Sequence, residues 1–580
     1  MDRRRFLVTS ISTAAVATVL ATDACSSGRG GMGGSSLFPG GDLRSLGSRV
    51  NVLNVRYATT NIAGYKLRGR TYNGKTVGPM FEVRGGDTLT MKIVNKLPPN
   101  PVSSPQLRGP VLVPVVHDSM EAMDPTPHGP FKPADNIDPM NNPHNFNTTN
   151  MHVHGIQTIP HLFEPLGTSN PAAEMIEVQP GQSYRYDFPI PLDHPSGLHW
   201  YHPHNHGSTD VQVSNGMAGL IVVRGPIDEV PEIKAAREIF MVVQTLDVNP
   251  SKKNKNLYER EYISFRSPQN GGYTFSTQFT MITLNGQGIN WVDNRGKDKI
   301  YKQLPLPQFD VKPGEVVRIR LLNGTNYLPL FLAIPGFDAW QIGFDGVNTL
   351  KPIYIDMSGK GVTEVTPENL FSSKNRLAMS ANRIELLLRA PQKPGTYTMK
   401  SLASDRIFFK LPALPMANFV VSGNPVTMSI PKKLPVPTRE YPVIQDKDIV
   451  AKRTFKFDQG ARTDLLMGFG FTINGNLYQM DAVPTAVKVG TCEEWRFENT
   501  TEDAHPIHLH ENSFQLTAIN DKPNDPMEIW DTFIIPPKVG NINGSITFRV
   551  RFVQWYGKTV FHCHILPHED TGMMQNIMMT

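Results

Sequence analysis

A strand pattern that occurs three times is the feature that most constrains how this chain folds. Each copy starts at an Asn-Gly pair and continues to a short strand, a turn at glycine and an alternating strand that ends in asparagine. The pairs are Asn73-Gly74, Asn285-Gly286 and Asn474-Gly475, and the closing residues are Asn95, Asn323 and Asn499. Period-two alternation is typical of strands, so we interpret the two strands around the glycine turn as a β-hairpin of a sandwich. Three copies predict three homologous β-sandwiches.

Length and composition agree with an all-β chain of several domains. The 580 residues exceed a single core and suggest about three or four domains. The chain contains 47 glycines and 49 prolines, which is typical of a turn-rich protein, and long amphipathic helical patterns are scarce. Gly225-Pro226 and a proline-rich stretch at 425–442 punctuate the repeats. We therefore predict domains at 46–228, 229–430 and 431–580.

Residues 1–45 are predicted to be a leader followed by a flexible Gly/Ser-rich segment. Arginines at 3–5 and the apolar run at 8–21 form the charged and hydrophobic regions of a twin-arginine secretory signal. The run is too short for a membrane span, and Cys25 is a candidate lipid-anchor site. We expect export to the periplasm or the extracellular space. The formal charge of +5 includes the leader arginines, so no nucleic-acid-binding surface is predicted.

The segment 98–150 is interpreted as a long insertion in the first domain, rich in Pro, Asn and Met. Loops of this length often cover a site or mediate contacts, and a plain solvent-exposed loop is the alternative. Met120, Met123, Met140 and Met151 lie in or beside it. Thioethers can gather Cu(I), although ordinary packing explains these methionines equally well.

The histidines are concentrated in four short clusters. Of the 17 histidines, twelve lie in the stretches 152–154, 199–206, 505–510 and 562–568. On a strand, residues i and i+2 face the same side, so each His-x-His pair can present two imidazoles together. Four pairs supply eight nitrogen ligands, which is too many for one ion and suits a copper cluster. Two pairs come from the first predicted domain and two from the third, which places the cluster at their interface.

The tripeptide His562-Cys563-His564 predicts a second site. Alternation along a strand turns Cys563 away from its neighbours. A thiolate there, with His505, His568 and a weak axial thioether from Met573, is the ligand set of blue copper. Zinc also binds Cys and His but transfers no electrons. Cys492 is interpreted as a small buried hydrophobe, and a disulfide with Cys563 is the alternative.

These motifs resemble the four copper-binding motifs of three-domain multicopper oxidases, the family of laccases and bacterial periplasmic copper oxidases. The resemblance covers the chain from about residue 50 to its end. It implies three cupredoxin-like Greek-key β-sandwich domains, the second of them structural and without copper ligands. It also implies four copper ions per chain. One is a blue type 1 copper that takes single electrons from a reductant, and three form a trinuclear cluster that reduces O2 to water.

Ligands are carried over from the family motif by motif. The blue copper takes His505, Cys563, His568 and Met573, and the type 2 copper takes His152 and His508. The type 3 pair takes the remaining six histidines: His154, His202, His204, His510, His562 and His564.

The chain departs from the family pattern in two motifs. Glu511-Asn512 follows the third motif where glycine is usual. His199 and His206 flank the second motif and would become ligands if the register slid by two residues. We prefer His202 and His204, because the family places its pair directly after Trp-aromatic, and assign His206 to the surroundings of the ligands or to structure.

Two acids are candidates for delivering protons during oxygen reduction. Glu569, beside His568, matches a family acid thought to have that role. Glu164, ten residues beyond His154, is the weaker candidate, and a surface carboxylate is its alternative explanation.

Phenols or aromatic amines are the expected reductants, and oxidation of Cu(I) or another metal ion in copper resistance is the alternative. An axial Met573 indicates a moderate potential that favours readily oxidised donors. A copper-storage or electron-transfer protein would need only the blue site, and a two-domain nitrite reductase would be shorter. We expect a monomer.

Overall fold

The structure is a computed structural model that describes residues 50–100, 112–113, 140–251, 253–259, 263–264, 277–295, 299–371, 376–437, 439–462, 465, 469–525 and 527–580. The predicted leader, Cys25, Met120, Met123 and most of the insertion at 98–150 lie outside these residues. Among the described residues, no helix is long and apolar enough to cross a membrane.

Strands dominate the described chain, which confirms the predicted fold class. The strands are β1 (Asn51–Ile62), β2 (Tyr65–Tyr72), β3 (Phe81–Arg84), β4 (Thr88–Asn95), β5 (Leu112–Val113), β6 (His152–His154), β7 (Phe163–Glu164), β8 (Glu174–Met175), β9 (Ser183–Pro189), β10 (Gly197–His202), β11 (Gly219–Arg224), β12 (Arg237–Pro250), β13 (Leu257–Glu259), β14 (Ile263–Ser264), β15 (Phe279–Leu284), β16 (Gln287–Asp293), β17 (Ile300–Gln303), β18 (Gln308–Val311), β19 (Val316–Asn323), β20 (Leu330–Ala333), β21 (Asp338–Phe344), β22 (Val347–Ile355), β23 (Arg376–Ala378), β24 (Arg383–Arg389), β25 (Gly395–Ser401), β26 (Leu414–Val421), β27 (Ile449–Ala461), β28 (Phe469–Ile473), β29 (Thr485–Val487), β30 (Cys492–Asn499), β31 (His505–Leu509), β32 (Phe514–Ile519), β33 (Lys522–Pro523), β34 (Ile529–Trp530), β35 (Thr532–Ile535), β36 (Gly544–Arg551), β37 (Gly557–Cys563) and β38 (Met574–Met579). Helices are short: α1 (Thr209–Val213), α2 (Pro231–Ala235) and α3 (Leu566–Glu569), with 3-10 turns at Pro226–Glu229 and Asp446–Asp448.

The strands form three successive sandwiches. In the first, the sheet β3-β11-β10-β6 faces strands β2, β1, β4 and β9. In the second, the sheet β18-β26-β25-β20-β23 faces strands that include β12, β19, β24 and β21. In the third, the sheet β29-β38-β37-β31-β35 faces a seven-stranded sheet built on β27, β30 and β36. β13 pairs with both β12 and β2, so the larger sheets of the first two sandwiches join into one 13-stranded sheet.

The repeated unit is not a hairpin, contrary to the interpretation from the sequence. β3 pairs with β11 whereas β4 pairs with β1, so the two strands of the first copy lie in opposite sheets. The strands β18 and β19, and β29 and β30, are separated in the same way. The turns between them contain glycines with positive φ: Gly86, Gly314 and Gly490. The alternating pattern shows which residues face the core. It is the same whether the next strand pairs in the same sheet or lies in the opposite sheet, so it does not distinguish the two arrangements.

Asparagine performs two structural tasks in every copy. Asn73, Asn285 and Asn474 have φ near +50° and precede glycines of positive φ, as two-residue type I′ turns require. The closing asparagines are buried strand ends that satisfy loop backbone. The Asn323 amide donates to the carbonyls of Leu328 (2.8 Å) and Ala378 (2.9 Å), and its oxygen accepts from the Thr325 hydroxyl (2.8 Å). Asn95 and Asn499 each donate to two carbonyls in the same manner.

The chain leaves the first sandwich after β11 and the second after β26. β11 ends at Arg224 and β12 begins at Arg237, while β26 ends at Val421 and β27 begins at Ile449. The limits 228/229 and 430/431 stay predictions of where each domain ends.

Replacing Asn323 with leucine is expected to destabilise the second sandwich. Leucine has a similar size but leaves the Leu328 and Ala378 carbonyls buried without their donor, which costs about 1–3 kcal/mol for each group. Scanning calorimetry should show a lower Tm for Asn323→Leu than for Asn424→Leu, because Asn424 is exposed. Equal Tm values for the two variants would contradict the structural role of Asn323.

Candidate metal centre

The register between β31 and β37 sends the ligand side chains to two different faces of one sheet. His508 lies opposite His562, and Ile507 lies opposite Cys563. Residues that oppose each other in an antiparallel pair share a face, and successive residues alternate. Cys563 therefore points into the third sandwich with His505, while His508 and His562 point out of it. The two faces of this sheet carry two separate donor groups.

The inner group is the trigonal set predicted from the sequence. The Cys563 Sγ lies 3.6 Å from His505 Nδ1 and 3.8 Å from His568 Nδ1, and those two nitrogens are 3.4 Å apart. Met573 is fully buried, and its carbonyl accepts from the Cys563 N–H at 3.0 Å. The Phe471 ring stacks on His568 with centroids 3.7 Å apart. One sulfur and two imidazole nitrogens thus converge where a single ion can bind.

Burial and hydrogen bonds prepare the inner group for a metal. Burial lowers the pKa of His505 to about 3, so its imidazole is neutral at physiological pH. Its Nε2 contacts the Thr501 hydroxyl at 2.8 Å, which leaves Nδ1 for the ion. Burial raises the pKa of the Cys563 thiol, and a metal ion must displace that proton on binding. The Ile565 N–H donates to the sulfur at 3.4 Å and partly offsets this cost.

The outer group gathers eight histidines from the first and third sandwiches. They fall into three sets whose donor atoms all lie within 4.8 Å of one another: His152, His154 and His508; His154, His202 and His564; and His204, His510 and His562. Representative separations are 3.3 Å between Nε2 of His152 and His508, 3.4 Å between His154 Nδ1 and His202 Nε2, and 3.0 Å between Nε2 of His204 and His562. The structure thus unites all four predicted His-x-His pairs at the contact of two sandwiches.

Several of these histidines are held through the ring nitrogen that points away from the group. The Nδ1 atoms of His202, His508 and His562 contact the carbonyls of Pro203 (2.8 Å), Asp531 (2.9 Å) and Cys563 (2.9 Å). A carbonyl only accepts, so each Nδ1 carries the proton and each Nε2 offers a lone pair. These backbone contacts orient three donors before any metal binds.

The pKa values of four outer histidines, His152, His202, His510 and His564, keep their imidazoles neutral. Burial lowers the pKa of His202 to about 3. Burial first, and neighbouring imidazoles second, lower the pKa of His152, His510 and His564 well below the usual value. Neutral imidazole is the form that binds metals.

Arg383 and Asp531 connect the outer group to all three sandwiches. Asp531, in the third, contacts His154 Nε2 of the first at 3.3 Å and forms a two-point ion pair with Arg383 of the second. The remaining Arg383 donors reach the carbonyls of Ala381, Asp345 and Leu198. Burial alone would raise the pKa of Asp531, but Arg383 and His154 hold it well below its usual range. Among its described residues, the second sandwich thus supplies no member of the donor sets, but it fixes the charge that orients His154.

Gly155, which ends the first motif, leaves room for the ion pair between Arg383 and Asp531. Its φ is +83°, and a side chain there would meet Arg383 Nη2 at 2.3 Å and Asp531 Oδ2 at 2.7 Å. Glycine is therefore required both by the backbone and by the approach of the ion pair.

The structure brings only one of the two candidate acids to the site. The Glu569 carboxylate is buried, 3.2 Å from His206 Nδ1 and 3.8 Å from His204 Nδ1, and burial raises its pKa to about 8. Asp570 next to it accepts N–H groups of Gly207 and Asp210 and joins the third sandwich to α1. Glu164 is exposed on β7 and lies outside the histidine sets.

The other histidines of the second motif occupy different positions. His206 lies between Glu569 and Asn141, with contacts of 3.2 Å and 3.4 Å. His199 is buried beside His194, and alternation along β10 places it on the opposite face from His202. Cys492 is buried, and both it and Cys563 are free thiols, so they form no disulfide.

Sequence reasoning missed Arg383, Asp531 and His161, all of which contact predicted ligands or their partners. The Nε2 of His161 lies 3.0 Å from His152 Nδ1 and 3.2 Å from the Val153 backbone nitrogen. None of the three residues belongs to a recurring motif in the chain. Glu511 was visible only as a departure from glycine; it adopts φ +55° and is buried 3.5 Å from His161.

The donor atoms fit copper. Imidazole and thiolate match the ligand preferences of copper, and the three-histidine sets can hold adjacent ions. The Nε2 of His564 is buried and has no hydrogen-bond partner among the described residues, as expected of a ligand atom.

Comparison with known proteins agrees with the site. Two family models, each described as multicopper oxidase, match residues 136–227 and 447–580. The chain has the features of a three-domain multicopper oxidase, as both matches and the donor sets indicate, and its sandwiches are cupredoxin-like. It is an oxidoreductase that uses oxygen.

Relatives and solved structures extend along most of the chain. Multicopper oxidase mco of Staphylococcus haemolyticus is 22% identical, with 88% of this chain and 83% of the relative covered. Multicopper oxidase MmcO of Mycobacterium tuberculosis is 25% identical over 73% of this chain and 75% of its own. The laccase-like multicopper oxidase CueO from Ochrobactrum sp. superposes with a TM-score of 0.63 at 20% identity, covering 93% of this chain and 98% of that one.

Replacing Arg383 with lysine is expected to loosen the contact between the sandwiches. Lysine keeps the positive charge but cannot reproduce the two-point fork, so Asp531 is compensated less well. Removing one partner of a buried ion pair entirely costs about 3–5 kcal/mol, which is the upper limit for this variant. Thermal unfolding should show a large drop in Tm for Arg383→Lys. Arg185→Lys, in an exposed pair with Asp187, should change little. Similar Tm values for both variants would contradict the role assigned to Arg383.

Proposed function

We propose that the chain binds four copper ions and couples oxidation of a phenol or aromatic amine to reduction of O2. The blue copper would be held by His505, Cys563, His568 and Met573, and the type 2 ion by His152 and His508. The type 3 pair would be held by the six other histidines: His154, His202, His204, His510, His562 and His564. The observation that carries this proposal is the convergence of these donors into one Cys-His set and three histidine sets.

When bound, the copper ions supply one-electron transfer at the inner group and four-electron reduction of O2 to water at the outer group. The chain provides the connection between the two. Cys563 lies between His562 and His564, so covalent bonds join the inner sulfur to donors of two outer sets. The burial of both groups excludes water.

Protons also have to reach the outer group, and the position of Glu569 supports a role in delivering them. Its Oε1 faces His204 and His206, and the residue directly follows the inner ligand His568. Glu164 was the second candidate, and its exposed position gives it no support.

Oxidation of Cu(I) or another metal ion is the second candidate function. A copper resistance protein A of Escherichia coli is 22% identical over 52% of this chain and 43% of its own, and a solved relative from Campylobacter jejuni is described as a metallo-oxidase. Met140, Met175, Met480 and Met574 pack together in one apolar cluster beside the third sandwich. Met175 and Met574 are buried and the other two are partly buried, which favours a packing role, so phenolic donors remain our first proposal.

Export by the twin-arginine route and a monomeric state complete the proposal. Export is supported by the arginines at 3–5 and the apolar run at 8–21, and lipidation at Cys25 would add an anchor.

Oxygen uptake by the copper-loaded chain tests the function. We expect catalytic uptake with 2,6-dimethoxyphenol that exceeds uptake with Cu(I) or Fe(II). Faster turnover of Cu(I) would favour the metal-oxidase alternative, and no uptake with any donor after full copper loading would contradict both.

Replacing Glu569 with glutamine is expected to lower kcat for oxygen uptake by about 100-fold, because general acid catalysis contributes on that scale. Glutamine keeps the size of the side chain, so copper content should remain that of the unmodified chain. The matched control is Glu164→Gln, which should retain full activity. An unchanged kcat in Glu569→Gln would refute the proton-delivery role.

A further inference from the structure

His161 lies outside the four histidine clusters, yet it forms part of the wall of the outer group. It follows β6 on the way to β7 and is buried, with 2% of its surface exposed. Its ring is nearly parallel to that of His152, with 12° between the planes. Its Nε2 lies 3.0 Å from His152 Nδ1 and 3.2 Å from the Val153 backbone nitrogen, and its Nδ1 lies 3.0 Å from the Ile159 carbonyl.

These contacts determine where the protons lie. The Val153 N–H can only donate, so His161 Nε2 is an acceptor and the His161 proton is on Nδ1. That proton is donated to the Ile159 carbonyl, which only accepts. His152 Nδ1 must then be protonated as well, because it faces the same accepting nitrogen. The lone pair of His152 is left on Nε2, 3.3 Å from His508 Nε2.

His152 depends on another imidazole for this orientation. His202, His508 and His562 are oriented by backbone carbonyls. In the described part of the chain, the hydrogen-bonding contacts of the His152 ring are with His161 and His508.

We propose that His161 is a positioning residue that holds His152 in the tautomer whose Nε2 binds the type 2 copper. The inference rests on the proposed copper function. His161 is not itself in any of the ligand sets.

Glu511 supports His161 from the opposite side. Its Oε1 lies 3.5 Å from His161 Nδ1, and the Thr559 hydroxyl donates to its other oxygen. An oxygen acceptor on that side favours a proton on Nδ1 over one on Nε2. Glu511 adopts φ +55°, a conformation that costs energy for a side-chain-bearing residue and is retained mainly at functional sites. The departure from glycine after the third motif is thereby explained as part of the support of His152.

The test compares His161→Phe with His161→Gln in the full copper-loaded chain. Phenylalanine keeps the ring but removes the acceptor, while glutamine offers an amide oxygen in its place. The readouts are copper content after dialysis, the electron paramagnetic resonance signal of type 2 copper and the absorbance at about 600 nm. His194→Phe is the matched control, because His194 is a buried histidine outside the donor sets.

We expect His161→Phe to bind the type 2 ion about 10- to 100-fold more weakly, the usual effect of losing a partner of a metal-bound histidine. Its blue absorbance should persist, since the inner group does not involve His161. His161→Gln should recover the type 2 signal, and His194→Phe should keep both signals.

A type 2 signal and copper content in His161→Phe equal to those of the unmodified chain would overturn the inference alone. So would loss of both signals to the same extent in His161→Phe and His194→Phe, which would indicate a general structural effect. An unmodified chain that binds no copper would overturn the proposed function and the inference together.

Discussion

The alternation of side chains along β37, in register with β31, is the constraint on which the site depends. It sends Cys563 into the third sandwich and His562 and His564 out of it, so one tripeptide belongs to two donor groups. The inner group needs only the third sandwich and α3. The outer group needs a second surface that carries further histidines, and the sheet β3-β11-β10-β6 of the first sandwich provides it. A slip of one residue between β31 and β37 would exchange the two faces and destroy both groups.

The middle sandwich contributes charge and position. Arg383 forms a buried ion pair with Asp531, which in turn orients His154 of the first sandwich. A buried ion pair is weak support for stability but strong support for a single arrangement, because removing either partner leaves a charge without compensation. The donors of the outer group are therefore held in place by all three sandwiches, although only two supply them. Asp570 likewise joins the third sandwich to the first, because it accepts the N–H group of Asp210 in α1.

The sequence predicted which histidines come together because their spacing follows strand geometry. The i, i+2 spacing of His152 and His154 or of His562 and His564 has one simple structural meaning, and the structure unites these residues. Predictions failed where alternation carries no information. The repeated strand pattern predicts hairpins, but β3 and β4 lie in different sheets. Arg383, Asp531 and His161 act through contacts between distant segments, which leave no local pattern. Glu164 followed only from spacing, and its side chain is exposed.

The central claim is that Cys563 serves the inner group while its neighbours serve the outer one. Cys563→Ser tests it most directly, by absorption spectroscopy and copper analysis of the loaded chain. The account predicts that absorbance at about 600 nm, which requires a copper thiolate, disappears while the type 2 signal of the outer group remains. Persistence of the blue absorbance would contradict the assignment of Cys563. Loss of the type 2 signal along with the colour would contradict the division into two groups.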